Sequence, residues 1–147
     1  MLALLVAVGL PATARSADDD QTLTPKRLSQ RLAAEPRGDA AERLAKQIRD
    51  WFGGKEKLAA GPNPKIDGLE VAWAIEAPDA KVVTVISEDR ERTLPLVRVG
   101  MTDVYAATFP LPDGSAFRWA YDVDGKGLGG FTNTRQRGAG QLELFLE

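Results

Sequence analysis

The sequence contains neither cysteine nor histidine, and each absence excludes a class of chemistry. Without cysteine, the chain forms no disulfide, has no thiolate nucleophile and offers no sulfur ligand to a metal. Without histidine, it lacks the most common general base and zinc ligand, and a Ser-His-Asp arrangement within the chain is impossible. The composition therefore predicts a non-catalytic protein with no metal site and no cofactor.

An excess of charge of either sign is also missing. The chain has 19 basic and 21 acidic residues among 147, a formal net charge of −2. Because proteins that bind nucleic acid or membrane surfaces carry clustered basic residues, we expect neither partner. A hydrophobic fraction of 44% is enough for one modest core, so the length and composition favour a single domain with an extension.

The first ten residues are uncharged and apolar, and Pro11 and the small residues Ala12 and Ala14 follow them. This pattern is typical of a secretory signal peptide and is too short to cross a bilayer as a helix. We predict a signal peptide over residues 1–14, cleaved between 14 and 17, and therefore export to the periplasm or the extracellular space. Because no lysine or arginine precedes the run, a misassigned start codon or a truncated n-region remains open, and a buried N-terminal helix is the alternative.

A helical segment is predicted over residues 23–60, after a disordered stretch over 15–22. Thr24 and Pro25 are typical of the cap and the first position of a helix. A second helix is expected to begin with Asp39 as its N-cap and Glu42 in capping-box spacing.

The second helix carries an apolar stripe that ends at two glycines, Gly53 and Gly54, which predict its stop. The stripe consists of Leu44, Ile48, Trp51 and Phe52. Because Trp51 and Phe52 need burial, we consider two hypotheses: they pack against the chain's own β domain, or they form a packing surface for a partner.

Beyond an extended linker over residues 61–68, the hydrophobic period changes from 3.6 to 2, so residues 69–147 are predicted to form a β domain. Residues 69–77 alternate as a half-buried strand, and Pro95 favours an edge position for a later one. Residues 125–140 are rich in glycine and predict a mobile loop. The remaining strands are predicted at 81–87, 93–99, 104–111, 117–123 and 142–146. Because no crossover helix separates the strands, the sheets should be antiparallel.

Three segments, WAIEAPDAKVVTVI, VYAATFPLPDG and FRWAYDVDG, follow one another in this order. Together they resemble the early-set immunoglobulin-like domain, and in particular the family-48 carbohydrate-binding-module type that precedes enterochelin-esterase-like and feruloyl-esterase-like α/β hydrolases. The resemblance covers about residues 69–146. It implies a mainly β, antiparallel Ig-like (early-set) β-sandwich with a short helical N-terminal extension.

The resemblance further implies a non-catalytic accessory domain that packs against an α/β hydrolase domain, in cis or in trans. The Gly-x-Ser-x-Gly turn that carries the nucleophile of such hydrolases is absent from the sequence. We therefore expect an accessory domain without its enzyme, or the product of a truncated gene.

The alternative function is that of a carbohydrate-binding module recognising a polysaccharide or oligosaccharide. Members of the family often bind α-glucans through exposed aromatic residues and a lysine. Trp73 and Trp119 occupy the inward-facing positions of their alternating strands and are therefore predicted to be buried. The outer candidates for sugar binding are therefore Tyr105, Arg118 and Asp122.

Two further motifs have structural explanations. GKGLGG at residues 125–130 matches the dinucleotide-binding pattern, but no helix follows that could hold a pyrophosphate, so a hairpin loop is the better interpretation. The acidic residues Asp122 and Asp124 suggest a fragment of a calcium loop, but the ligand series is incomplete, so a tight turn is predicted instead.

Overall fold

A computed structural model describes residues 21–110, 116–137 and 141–145, and the surroundings of side chains within 21–110 and 118–128. The predicted signal peptide over 1–14 and most of the predicted disordered stretch over 15–22 lie outside the described residues.

The described residues form three helices, α1 (Pro25–Ala33), α2 (Gly38–Trp51) and α3 (Lys55–Ala59). Thr24 caps α1 as predicted, because its Oγ1 accepts a hydrogen bond from the N–H of Arg27 at 3.2 Å. None of these helices is both long and apolar enough to cross a membrane.

The start of α2 differs from the prediction. Arg37 occupies the N-cap without a side-chain hydrogen bond, and Asp39 lies inside the first turn. The helix begins at Gly38, which has φ of +54°, before the predicted cap at Asp39. The predicted stop is confirmed: α2 ends at Trp51, and Gly53 and Gly54 follow with φ of +93° and +114°.

The described strands form two antiparallel sheets, which confirms the mainly β, antiparallel prediction. One sheet has four strands in the order β1-β2-β6-β5, and the other has five in the order β4-β3-β7-β8-β9. The strands are β1 (Lys65–Asp67), β2 (Glu70–Glu76), β3 (Val83–Ser87), β4 (Thr93–Pro95), β5 (Val97–Arg98), β6 (Val104–Pro110), β7 (Ala116–Val123), β8 (Lys126–Arg137) and β9 (Gln141–Phe145).

The two sheets share an aromatic core. Trp73 of β2 and Trp119 of β7 are each 2% exposed, and their rings meet edge to face with centroids 6.3 Å apart. Tyr121 packs against Trp119 in the same way, at 5.4 Å. Such edge contacts suit the charge distribution of aromatic rings, and they confirm that both tryptophans are core residues.

A second core lies between the helices and the outer face of the four-stranded sheet. Its helical residues include Leu28, Leu44, Ala45, Ile48 and Leu58, and its sheet residues include Ala72, Ala74, Val104 and Ala106. The small alanine side chains of β2 and β6 let the helices approach the sheet closely. The prediction that β2 is half-buried is therefore wrong, because the helical layer covers its outer face as well.

Part of the segment predicted as a linker over 61–68 belongs to the sheet, since β1 pairs with β2. The hydroxyl of Tyr121 lies 3.0 Å from the carbonyl oxygen of Pro62 and 3.1 Å from that of Ala74. The same tyrosine therefore contacts both the segment before β1 and the strand β2.

The predicted strand over 93–99 divides at Leu96. β4 is an edge strand of the five-stranded sheet and β5 an edge strand of the four-stranded sheet, so the chain changes sheet between them. Leu96 is buried in the inter-sheet core, and its N–H donates to the carbonyl of Val83 at 2.8 Å. The edge position predicted from Pro95 is confirmed, because proline has no N–H to donate to a further strand.

The mobile loop predicted over 125–140 is wrong for residues 126–137, which form β8; residues 138–140 lie outside the described residues. Asp124 and Gly125, with φ of +52° and +82°, make the two-residue turn that joins β7 to β8. β8 pairs with β7 on one side and β9 on the other. Backbone hydrogen bonds to two neighbouring strands therefore order this segment, although its glycine-rich sequence does not predict a strand.

Candidate functional site

Tyr105, predicted as an outer sugar-binding residue, lies in the inter-sheet core. Its side chain is 4% exposed, and its hydroxyl donates to the carbonyl oxygen of Ala80 at 2.6 Å. This hydrogen bond ties β6 to the turn that follows β2. Tyr105 therefore presents no ring face to a sugar.

Arg118 and Asp122 lie on β7 and are engaged with neighbours. Arg118 Nη1 is 2.7 Å from Glu88 Oε1 in an exposed ion pair. Asp122 Oδ1 accepts a hydrogen bond from the N–H of Gly125 at 2.9 Å, within the β7–β8 turn. The structure therefore does not bring Tyr105, Arg118 and Asp122 together on one surface.

Replacing Tyr105 with phenylalanine is expected to lower the free energy of unfolding by about 1–2 kcal/mol, because it leaves a buried carbonyl oxygen without its donor. Urea denaturation of the wild type and the variant measures this difference. Titration with soluble starch should show no difference between the two proteins. If the variant were as stable as the wild type but had lost starch binding, the Tyr105 hydroxyl would not be a buried donor to Ala80.

Trp51 and Phe52, the predicted partner-packing pair, lie against the chain's own sheet. Phe52 is 5% exposed within the helix–sheet core, and Trp51 packs on that core with its ring centroid 5.3 Å from that of Phe52. Lys65 Nζ lies 5.5 Å from the Phe52 ring centroid, a cation–π contact from β1. Phe52 is therefore not free for a partner.

A buried ion pair between Arg49 and Glu76 connects α2 to the end of β2. Arg49 Nε and Nη2 lie 2.7 and 2.9 Å from the two carboxylate oxygens of Glu76, whose side chain is 1% exposed. Lys55 Nζ is 3.8 Å from the same carboxylate. The hydrogen bond with Glu76 raises the pKa of the Arg49 guanidinium. Because a guanidinium stays protonated, this pair fixes geometry and does not transfer protons.

The two aspartates of the β7–β8 turn, Asp122 and Asp124, accept hydrogen bonds from backbone N–H groups. Asp124 Oδ1 accepts hydrogen bonds from the N–H groups of Val82 and Lys81 at 2.8 and 2.9 Å, and these bonds lower the pKa of Asp124. The predicted turn is therefore present. Within the described ranges, no group of three or more acidic side chains is placed to hold a metal ion.

A cleft opens between the two sheets where β2 and β6 face the β3–β4 hairpin; we call it the end cleft. Its volume is about 90 Å³. The residues that line it are Trp73, Val85, Ser87, Arg92, Thr93, Leu94 and Phe109. Since these residues come from β2, β3, β4, β6 and the β3–β4 turn, no local motif could reveal the cleft.

The hydroxyl of Ser87 beside the end cleft is committed to the hairpin. Its Oγ donates to Asp89 Oδ1 and accepts from the N–H of Arg92 at 3.0 Å. The hydrogen bond from Ser87 lowers the pKa of Asp89, and a second bond, from the N–H of Glu91, acts in the same direction. The Ser87 hydroxyl and the Asp89 carboxylate therefore both belong to the hydrogen-bonding network of the β3–β4 hairpin.

Comparison of the sequence with known protein families and with curated proteins found no match. A functional assignment therefore depends on the geometry of the described residues and on the resemblance of the three β segments.

Proposed function

We propose that this chain is an Ig-like, early-set accessory domain of an exported esterase-type α/β hydrolase, with no catalytic role of its own. The observation that carries the proposal is the position of the three resembling segments in the sheets. β2 and β6 pair along seven residues each, and β7 lies between β3 and β8 in the other sheet. The segments that suggested the family are thus the inner strands.

The turns within those segments also support the proposal. After β2, the N–H of Ala80 donates to the carbonyl of Ala77 at 3.3 Å, and Asp79 adopts φ of +61°. This turn leads the chain from the four-stranded sheet to the five-stranded one. The Asp124-Gly125 turn closes the β7–β8 hairpin. The first turn thus joins the two sheets, and the second joins two neighbouring strands of the five-stranded sheet.

The contact with the hydrolase domain is proposed to lie at the β5 corner, residues 97–101. Val97 is 56% exposed and Met101 84% exposed, although both are large and apolar. β5 is also an edge strand, whose outer backbone groups can pair with a partner. Arg98 steadies the corner, because its Nε donates to the carbonyl of Thr102 at 2.6 Å. The helices cover the outer face of β2 and β6, whereas the apolar side chains of the β5 corner stay exposed.

Changing both Val97 and Met101 to serine should weaken binding to the hydrolase encoded beside this gene by about tenfold or more, because exposed apolar anchors dominate interface energies. Isothermal titration of the purified hydrolase domain with each variant measures the change. Val82→Ser is the matched control, since Val82 is 59% exposed and adjoins the five-stranded sheet.

Unchanged affinity of the double variant would remove the β5 corner from the proposal. Failure of the wild-type chain to bind that hydrolase at all would contradict the accessory role.

Carbohydrate binding is the weaker proposal. The three residues on which it depends are divided between the inter-sheet core and two engaged positions on β7. No described observation favours it over the accessory role.

A further inference from the structure

The end cleft combines an apolar interior with a single charge. Among the described residues that line it, Trp73, Val85, Leu94 and Phe109 are apolar, and Arg92 is the one charged side chain. Phe109 is 45% exposed, so one wall of the cleft faces solvent. An interior of this kind, with a few polar groups at its rim, is typical of small-molecule sites.

The size of the cleft limits what can enter. A volume of about 90 Å³ is smaller than the cavities of about 150 Å³ that enclose benzene completely. Because this cleft is open on one side, it can hold a ring or a branched alkyl group whose remaining part stays in solvent. The ligand must therefore be small, with one compact apolar end.

Arg92 makes the cleft selective for charge. Among the described residues the guanidinium forms no direct salt bridge, although its charge helps to lower the pKa of the neighbouring Asp89 after the hydrogen bonds that Asp89 accepts. The nearby carboxylates have closer partners of their own. Glu88 is paired with Arg118 at 2.7 Å, and Asp89 accepts from Ser87. Glu91 is exposed and does not line the cleft. A guanidinium that no carboxylate contacts directly can bind the carboxylate of a ligand, because its N–H groups match carboxylate geometry.

We propose that the end cleft binds a small organic carboxylate, with its apolar end between the sheets and its carboxylate on Arg92. This ligand site is independent of the accessory role, since it uses none of the residues of the β5 corner. The hydroxyl of Ser87 stays within the hairpin, so the site binds and does not react.

Sodium benzoate and its neutral counterpart benzyl alcohol are the probes, titrated into the full chain at constant ionic strength and followed by amide chemical shifts. We expect saturable benzoate binding with a Kd of about 1 mM, with shifts concentrated in β2, β3, β4 and β6. Arg92→Gln should weaken benzoate binding about tenfold and leave benzyl alcohol binding unchanged.

Two tryptophan variants distinguish specific binding in the end cleft from non-specific binding to the protein surface. Thr93 is exposed at the rim, so Thr93→Trp should close the cleft and abolish benzoate binding. Val82→Trp adds a tryptophan at the opposite end of β3, where Val82 is 59% exposed, and should leave benzoate binding unchanged. Thermal unfolding confirms that both variants fold. The proposal is overturned if benzoate does not saturate, if benzyl alcohol binds as tightly as benzoate, or if Thr93→Trp still binds.

Discussion

Replacing Arg49 with alanine is expected to lower the free energy of unfolding by about 3 kcal/mol, because the variant leaves a buried carboxylate without its main partner. Glu76 is 1% exposed on its side chain, and Lys55 alone, at 3.8 Å, would remain near it. Urea denaturation followed by far-ultraviolet circular dichroism measures the loss. We expect the double variant with methionine at both Arg49 and Glu76 to recover most of it, since two apolar side chains need no counter-charge.

Lys46→Ala is the matched control for Arg49→Ala on the same helix. Lys46 Nζ lies 2.7 Å from Asp50, but the two side chains are 76% and 64% exposed. An exposed pair of this kind contributes about 0.5 kcal/mol or less. If Arg49→Ala costs no more than Lys46→Ala, the ion pair with Glu76 does not fasten the helices to the sheet.

Replacing Gly100 with alanine is expected to cost about 2 kcal/mol or more, because two penalties combine at this position. Gly100 has φ of +57°, a backbone conformation that residues with a Cβ adopt only with strain. An added Cβ would also lie 2.5 Å from the Cβ of Ala41 and 3.2 Å from the carbonyl oxygen of Pro36. The β5–β6 turn would then be pushed away from the start of α2.

Gly68→Ala separates the two penalties. Gly68 has φ of +60°, but an added Cβ would meet nothing within 4 Å. Its substitution should therefore cost about 1 kcal/mol from backbone strain alone. Chemical denaturation of both variants gives the comparison, and equal losses at the two glycines would show that the turn does not press against α2.

Local signals in the sequence predicted the elements that depend on local chemistry. The cap at Thr24, the stop after Trp51 and the edge position of Pro95 each follow from one residue's own hydrogen-bonding or backbone preference. The burial of Trp73 and Trp119 was also predicted, because it follows from the alternation of residues along a single strand.

Features that depend on distant partners were missed. Alternation in β2 indicates one buried face, but the helical layer that covers its other face comes from a separate segment of the chain. Ala72 and Ala74 were the available signal, since outward alanines in a strand leave room for a helix. β8 was missed because its order comes from pairing on both sides, which the residues of one strand do not encode.

The candidate sites show the same division. Tyr105 was predicted to lie on the outer face, yet its side chain lies in the inter-sheet core. The ion pair of Arg49 and Glu76 joins residues 27 positions apart, and the end cleft collects side chains from four strands. Such constellations depend on how the sheets and helices pack, which a local pattern does not determine.

Sequencing the genomic DNA on both sides of this reading frame tests the accessory role most directly. The account predicts an α/β hydrolase with a Gly-x-Ser-x-Gly nucleophile turn, either in frame with this chain or in the adjacent reading frame. Flanking DNA that encodes no hydrolase on either side would contradict the proposed function, and the end cleft would then remain as an independent ligand site.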